Sequence, residues 1–247
     1  MSVVVLTVPG MVLATLLPTR CPVCGAAGSA PCGSCVNRMR PAVTAPVPPG
    51  LDACGSLLAY EGAARTLVTS VKYRNDRAAL AWLADGMAAL VEPPADVVVT
   101  WAPTSRRRRR QRGFDQAELL ATALARRWDR PCRRLLDRSP GPPQTGLSLA
   151  DRRRGPCFMP QGAAPLGVIV VDDVVTTGST LTAASWALRS AGASWVGALT
   201  AARTPRLATL LPVPPSPPSS VPLSVPGTPP DVESSLKFGR EVADVPQ

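Results

Sequence analysis

Residues 168–180 read Val-Ile-Val-Val-Asp-Asp-Val-Val-Thr-Thr-Gly-Ser-Thr, and they constrain the fold more tightly than any other stretch. Four β-branched apolar residues in succession predict a strand buried on both faces, as in parallel sheets. The run ends on two adjacent carboxylates, Asp172 and Asp173, and a turn of hydroxyls and glycine, Thr176-Thr177-Gly178-Ser179-Thr180, follows at once. Leu181, Ala184 and Leu188 then have helical spacing. In a strand, turn and helix of this kind, backbone N–H groups at the helix start gather round an anion. Carboxylates at the strand end do not bind phosphate; they suit sugar hydroxyls or Mg²⁺. Phosphate on one side and a diol on the other describe a site for a ribose 5-phosphate.

An apolar strand ending in Asp-Asp also occurs as the Mg²⁺ strand of ATPases. That site needs a G-x-x-x-x-G-K-[ST] loop, and neither Lys72 nor Lys237 lies in one. A G-x-G-x-x-G dinucleotide loop is absent too. Residues 168–180 resemble the 5-phosphoribosyl 1-pyrophosphate (PRPP) signature of type I phosphoribosyltransferases. The resemblance implies that Thr176, Thr177, Gly178, Ser179 and Thr180 hold the 5-phosphate. It also implies that Asp172 and Asp173 bind the ribose hydroxyls as the catalytic pair, and that Mg²⁺ accompanies PRPP.

A chain of 247 residues can bury one sizeable core with a small accessory module. Its net charge of +10 raises the expectation of anionic partners, phosphates or nucleic acid. Histidine is absent, which excludes Ser-His and Cys-His nucleophilic sites and histidine general bases. The apolar first 18 residues lack a basic start and are interrupted by Pro9-Gly10. They are also short for a spanning helix. The expectation is a short helix over 11–18, no membrane span and a cytoplasmic protein.

Cys21, Cys24, Cys32 and Cys35 form C-x₂-C-x₇-C-x₂-C. Two such turns complete a tetrahedral zinc site. The alternative is two disulfides or redox pairs, which a cytoplasmic setting disfavours. Cys54, Cys132 and Cys157 are scattered and read as small core or loop residues.

Between the cysteines and residue 168, apolar strands are expected at 55–60 and 96–100. Helical patterns occupy 64–72, 78–91 and the stretch from Gln116. Strands alternating with helices predict a parallel α/β sheet flanked by helices. The turn Trp101-Ala102-Pro103-Thr104-Ser105 leaves the second strand and meets the run Arg106–Arg110. That run reads either as a nucleic-acid patch or as a helical face on which two or three arginines reach one ligand. Aromatic residues make up only 4%, so stacking platforms for single strands are scarce.

The ordered motifs resemble the ComF/GntX family. They are the Cys-Pro-Val-Cys-Gly turn from Cys21, Tyr60-Glu61-Gly62, Val71-Lys72-Tyr73, Arg112-Gly113-Phe114-Asp115-Gln116, Gln144-Thr145 and the PRPP signature. Two departures from the family pattern lie near the expected pyrophosphate side: Asp115 replaces Asn, and the turn Trp101-Ala102-Pro103 stands where the family has Pro-Val-Pro. The resemblance implies a phosphoribosyltransferase-like fold, with Trp101, Ala102, Pro103, Thr104, Ser105 and Arg106 on the pyrophosphate side. It implies PRPP as ligand and an acceptor that is a nitrogenous base. It implies, as the alternative, a non-catalytic competence role with single-stranded DNA or a helicase partner. Residues 139–156 match the place of a flap that closes over PRPP, or read as an exposed loop. The expected organisation is a Cys₄ zinc module over 11–50, a transferase-like domain over 51–204, and a disordered proline-rich tail over 205–247.

Overall fold

The computed structural model describes residues 19–74, 77–139 and 156–205, with 72–74 by backbone alone. The helix expected over 11–18, most of the loop over 139–156 and the tail beyond 205 lie outside the described residues. The chain runs α1 (Gly33–Val36), β1 (Ala53–Ala59), α2 (Gly62–Arg74), α3 (Arg77–Ala88), β2 (Val97–Trp101), α4 (Arg106–Arg112) and α5 (Gln116–Trp128). It continues through β3 (Leu136–Arg138), β4 (Phe158–Pro160), β5 (Gly167–Val175), α6 (Ser179–Ser190) and β6 (Trp195–Arg203).

The main sheet has the order β1-β6-β5-β2, and each pairing is parallel. Parallel neighbours need crossovers, and helices supply them here. Side chains alternate across each strand, so both sheet faces are apolar. Val97, Val99, Trp101, Ile169 and Val171 pack with Leu67, Val71, Leu83, Leu120 and Leu124 from α2, α3 and α5. Val98, Val168, Val170, Val196 and Ala198 face the other way, onto Leu181, Ala184 and Leu188 of α6. Leu136 and Phe158, from the small antiparallel pair β3–β4, complete that second core. The β-branched run of β5 follows from this sandwiching. The expected parallel sheet flanked by helices is what the chain forms.

Both edges of the sheet are covered in part. Residues 40–42 pair antiparallel along β1, with Ala59 N–H donating to the Arg40 carbonyl at 2.9 Å and Ala42 N–H to the Leu57 carbonyl at 3.1 Å. Along β2, Val99 N–H donates to the Pro131 carbonyl and Arg133 N–H to the Val99 carbonyl, each at 2.9 Å. The cysteine-containing segment joins the first core directly, through buried Met39 and partly buried Val23.

Candidate functional site

β2 and β5 are parallel neighbours, so the segments leaving their carboxyl ends emerge side by side. Ala102 N–H donates to the Val171 carbonyl at 3.0 Å, which carries the pairing one residue past Trp101. The turn after β2 thus begins beside Asp172 and Asp173. Both carboxylates are half-buried, and Asp172 Oδ1 accepts the Asp173 N–H at 2.8 Å. In α/β sheets this carboxyl edge is where ligands bind.

After β5, Thr176 and Thr177 are exposed and Gly178 is buried at the start of α6. Gly178 has φ of 86°, a left-handed value at which glycine is unstrained. Thr177 Oγ1 accepts the Ser179 N–H at 3.3 Å and donates to Ser179 Oγ at 3.1 Å. The turn is therefore rich in donors at the positive end of a three-turn helix.

On the β2 side a cleft of about 240 Å³ is lined by Trp101, Pro103, Thr104, Arg106, Arg109, Asp115, Arg134, Asp137 and Arg138. Four guanidinium groups face two carboxylates, so the cleft suits an anion. Arg106 and Arg109 sit one helical turn apart on α4 and are the members of the arginine run that reach it. Arg109 also pairs with Glu118 at 3.6 Å. Asp137 is held by Arg134 and by Gln161 Nε2, the latter at 2.6 Å, and these contacts lower its pKa, Gln161 foremost. Burial lowers the pKa of Arg138, as does Arg108, while Asp172 and Asp115 oppose the shift. Arg138 therefore lies within electrostatic reach of Asp172, which connects the cleft with the carboxylate pair.

Asp115 is 4% exposed. Its Oδ1 caps α5 by accepting the Ala117 N–H at 3.2 Å, and its Oδ2 accepts the Thr104 N–H at 2.8 Å. Burial raises its pKa despite these two bonds. Ala102 and Ser105 are placed next to the cleft without lining it. Ala102 is buried in the β2–β5 pairing, and Ser105 caps α4 by accepting the Arg108 N–H at 3.3 Å. The sequence placed Asp115 near the pyrophosphate side without a role, and Arg134, Asp137 and Arg138 were missed as cleft residues. These three arrive on the segment that follows the β2 edge into β3, which has no local motif.

The sulfurs of Cys21, Cys24, Cys32 and Cys35 lie within 4.8 Å of one another, and those of Cys24 and Cys32 are 3.6 Å apart. Tetrahedral zinc–thiolate bonds place sulfurs about 3.8 Å apart, so one cluster compatible with structural zinc replaces the alternative of two separate pairs. Burial raises the Cys21 pKa, but N–H groups of Cys32, Cys24 and Val23 outweigh it and the net shift is downward. Cys32 is lowered to about 6, first by the Ser34 hydroxyl. Cys35 is raised to about 12 by burial, against the Arg38 guanidinium that donates to its sulfur at 3.0 Å. Of the remaining cysteines, Cys54 and Cys132 are half-buried and Cys157 is exposed. Among the described residues, no helix is long and apolar enough to cross a membrane.

No protein-family model matches the chain. Among curated proteins it is similar to competence protein ComFC of Bacillus subtilis (strain 168), with 30% identity over 132 residues. The match spans 51% of this chain and 53% of that relative, about half the length of each. Solved structures with some likeness are an orotate phosphoribosyltransferase from Aeropyrum pernix and a purine phosphoribosyltransferase from Pyrococcus horikoshii Ot3. The first is 22% identical with a TM-score of 0.30, covering 55% of this chain and 62% of that one. The second is 16% identical with a TM-score of 0.32, covering 61% and 87%. By sequence, then, the chain is similar to ComFC over about half the length of each, the kind of protein its ordered motifs resemble.

Proposed function

We propose that the chain binds PRPP with Mg²⁺ and transfers its 5-phosphoribosyl group to a nitrogenous-base acceptor. The observation that carries this is the Asp172–Asp173 pair on β5, flanked by a donor-rich helix start on one side and an arginine-lined cleft on the other. Thr176, Thr177, Gly178, Ser179 and Thr180 offer donors for the 5-phosphate. Asp172 and Asp173 accept from the ribose hydroxyls. Trp101, Pro103, Thr104, Arg106, Arg109 and Arg138 receive the pyrophosphate, with Ala102 and Ser105 holding the turn beside them. Asp172 and Asp173 also offer the hard oxygen donors that Mg²⁺ takes, and the metal would neutralise charge on the departing pyrophosphate.

Transfer breaks the bond between the anomeric carbon and the pyrophosphate oxygen. The electron pair leaves with pyrophosphate, and the acceptor nitrogen closes on the carbon and sheds its proton. Positive charge develops on the ribose ring as the bond breaks, and fixed carboxylates nearby stabilise it. This chemistry needs no histidine.

In the proposed organisation, residues 11–50 form a structural zinc module, 51–204 the transferase domain and 205–247 a tail. A phosphorylated sugar substrate and four reduced thiols both fit a cytoplasmic setting. The experiment is pyrophosphate release from PRPP across a panel of bases; release with at least one base supports transfer, and none with any base opposes it.

A second reading rests on α4. None of its residues is buried, and only Arg106 and Arg109 line the cleft. The remaining exposed arginines, Arg107, Arg108 and Arg110, are free to track a nucleic-acid backbone, as a competence protein handling single-stranded DNA, alone or with a helicase, would require. Binding of single-stranded DNA that weakens steeply with salt and is lost on replacing these three arginines supports that reading.

A further inference from the structure

The segment that joins the cysteine cluster to β1 ends in Pro48-Pro49-Gly50-Leu51. Leu51 N–H donates to the Pro48 carbonyl at 3.2 Å, and Gly50 has φ of 84°. Proline second and left-handed glycine third give a type II turn. The turn is seated on one face of α6 and of the turn before it. A side-chain carbon on Gly50 would come 2.4 Å from Ser185 Oγ, and one on Gly178 would come 2.8 Å from the Pro48 ring. Arg189 Nε donates to the Gly50 carbonyl at 2.8 Å, and Ser185 Oγ, which donates to the Thr182 carbonyl at 2.8 Å, lies 3.4 Å from the Pro49 carbonyl. Positions 178, 185 and 189 repeat at helical spacing, so the contacts share a face. Pro48 is buried, while its neighbours Pro46, Val47 and Pro49 are exposed.

We propose that the Pro48–Leu51 turn holds the Thr176–Thr180 turn in its anion-receiving shape, with Pro48 as the positioning residue. The phosphate role in this statement rests on the proposed transferase function. Pro48 is a stiff element: its own ring fixes φ, and the following proline confines it to extended backbone. Gly178, against which it packs, has the widest backbone freedom of any residue type. A rigid ring against a permissive glycine restricts the turn before ligand arrives. That lowers the ordering penalty on binding phosphate. The contact also links the cysteine-containing segment to the site, since the same stretch of chain leaves Cys35, pairs with β1 and ends on α6.

The test compares wild type, Pro48→Gly and Pro48→Ala in two measurements on the full chain. Hydrogen exchange is followed at the amides of 178–181 without ligand, and ribose 5-phosphate is titrated into each protein. Pro48→Gly is expected to speed exchange at 178–181 selectively and to weaken ribose 5-phosphate roughly three- to tenfold. Pro48→Ala keeps a β-carbon and the restriction imposed by Pro49 but loses the ring, so it is expected to fall between wild type and Pro48→Gly in both. Unchanged exchange at 178–181 in Pro48→Gly, or an equal rise throughout the chain, overturns the proposal. If wild type binds no ribose 5-phosphate, the transferase function fails, and exchange still decides whether Pro48 holds the turn.

Discussion

Asp115 accepts the amide hydrogen of Thr104 across 2.8 Å, and with its other oxygen it caps α5. One buried carboxylate thus ties the turn after β2 to the helix that backs it, and the walls of the cleft are held together there. Replacing Asp115 by Ala strands both N–H groups, and the expected loss of stability is about 1–3 kcal/mol. The effect on ligand separates two physical causes. Removing a negative charge from the cleft would by itself tighten PRPP binding, whereas releasing the turn weakens it. We expect PRPP to weaken while ribose 5-phosphate is little changed, as titration of both ligands will show; tighter PRPP binding contradicts the latch.

The same carboxylate gives an unusual pH dependence. Its folded pKa lies above the ordinary carboxylate value because burial outweighs its two N–H partners. In the window from about 3.9 up to that raised value, the folded state binds the proton more tightly than the unfolded state. The contribution of Asp115 to stability therefore rises as pH falls through the window and is flat below it. Denaturant unfolding of wild type and Asp115→Asn from neutral pH down to the ordinary carboxylate range should show wild type gaining relative to the variant. A constant difference contradicts the raised pKa.

Within the arginine run the geometry divides the residues into two classes. Arg106 and Arg109 line the cleft, and Arg107 and Arg110 do not. Replacing Arg106 and Arg109 by Gln should weaken PRPP about tenfold, a modest charge-assisted contribution because both side chains are solvent-screened. Ribose 5-phosphate, which lacks the pyrophosphate, should bind nearly as before. The Arg107 and Arg110 double variant should leave PRPP affinity unchanged; equal effects from the two pairs would indicate only a general field.

The strand, turn and helix of 167–190 were legible because every signal there is local: a β-branched run, a glycine turn and a helical repeat. The arginine run was legible in part. Helical spacing limited how many members reach one ligand, but which ones depended on where Ser105 caps α4 and on how α4 meets the sheet. Arg134, Asp137 and Arg138 carried no readable signal, because a neighbouring strand edge delivers them to the cleft through the Val99–Arg133 pairing. The seat of Pro48 on Gly178 was invisible for the same reason. The two residues, 130 positions apart, are brought together by β6 entering the sheet between β5 and β1, and no local pattern encodes that order. Asp115 stood out in sequence only as a departure from a family pattern; its role is set by the distance to Thr104.

Protein prepared with reduced thiols should contain about one zinc per chain, since four thiolates in one cluster make one tetrahedral site. Replacing Cys21 and Cys24 by Ser should release the metal and lower the melting temperature. The cluster's segment contributes Met39 to the first core, so its loosening is felt beyond the module. Metal analysis finding no zinc in wild type would contradict the assignment.

The most direct measurement of the central claim is calorimetric titration of PRPP, with Mg²⁺ present, into wild type and the Asp172→Asn, Asp173→Asn double variant. These side chains end β5 at the ligand edge of the sheet and are only half-buried, so exchanging oxygen for nitrogen leaves the packing in place. We predict saturable binding near one PRPP per chain for wild type and a loss of at least about tenfold for the variant, as removal of charge-assisted hydrogen bonds to the ribose requires. Equal affinity in the two proteins, or no binding by wild type, would contradict the account.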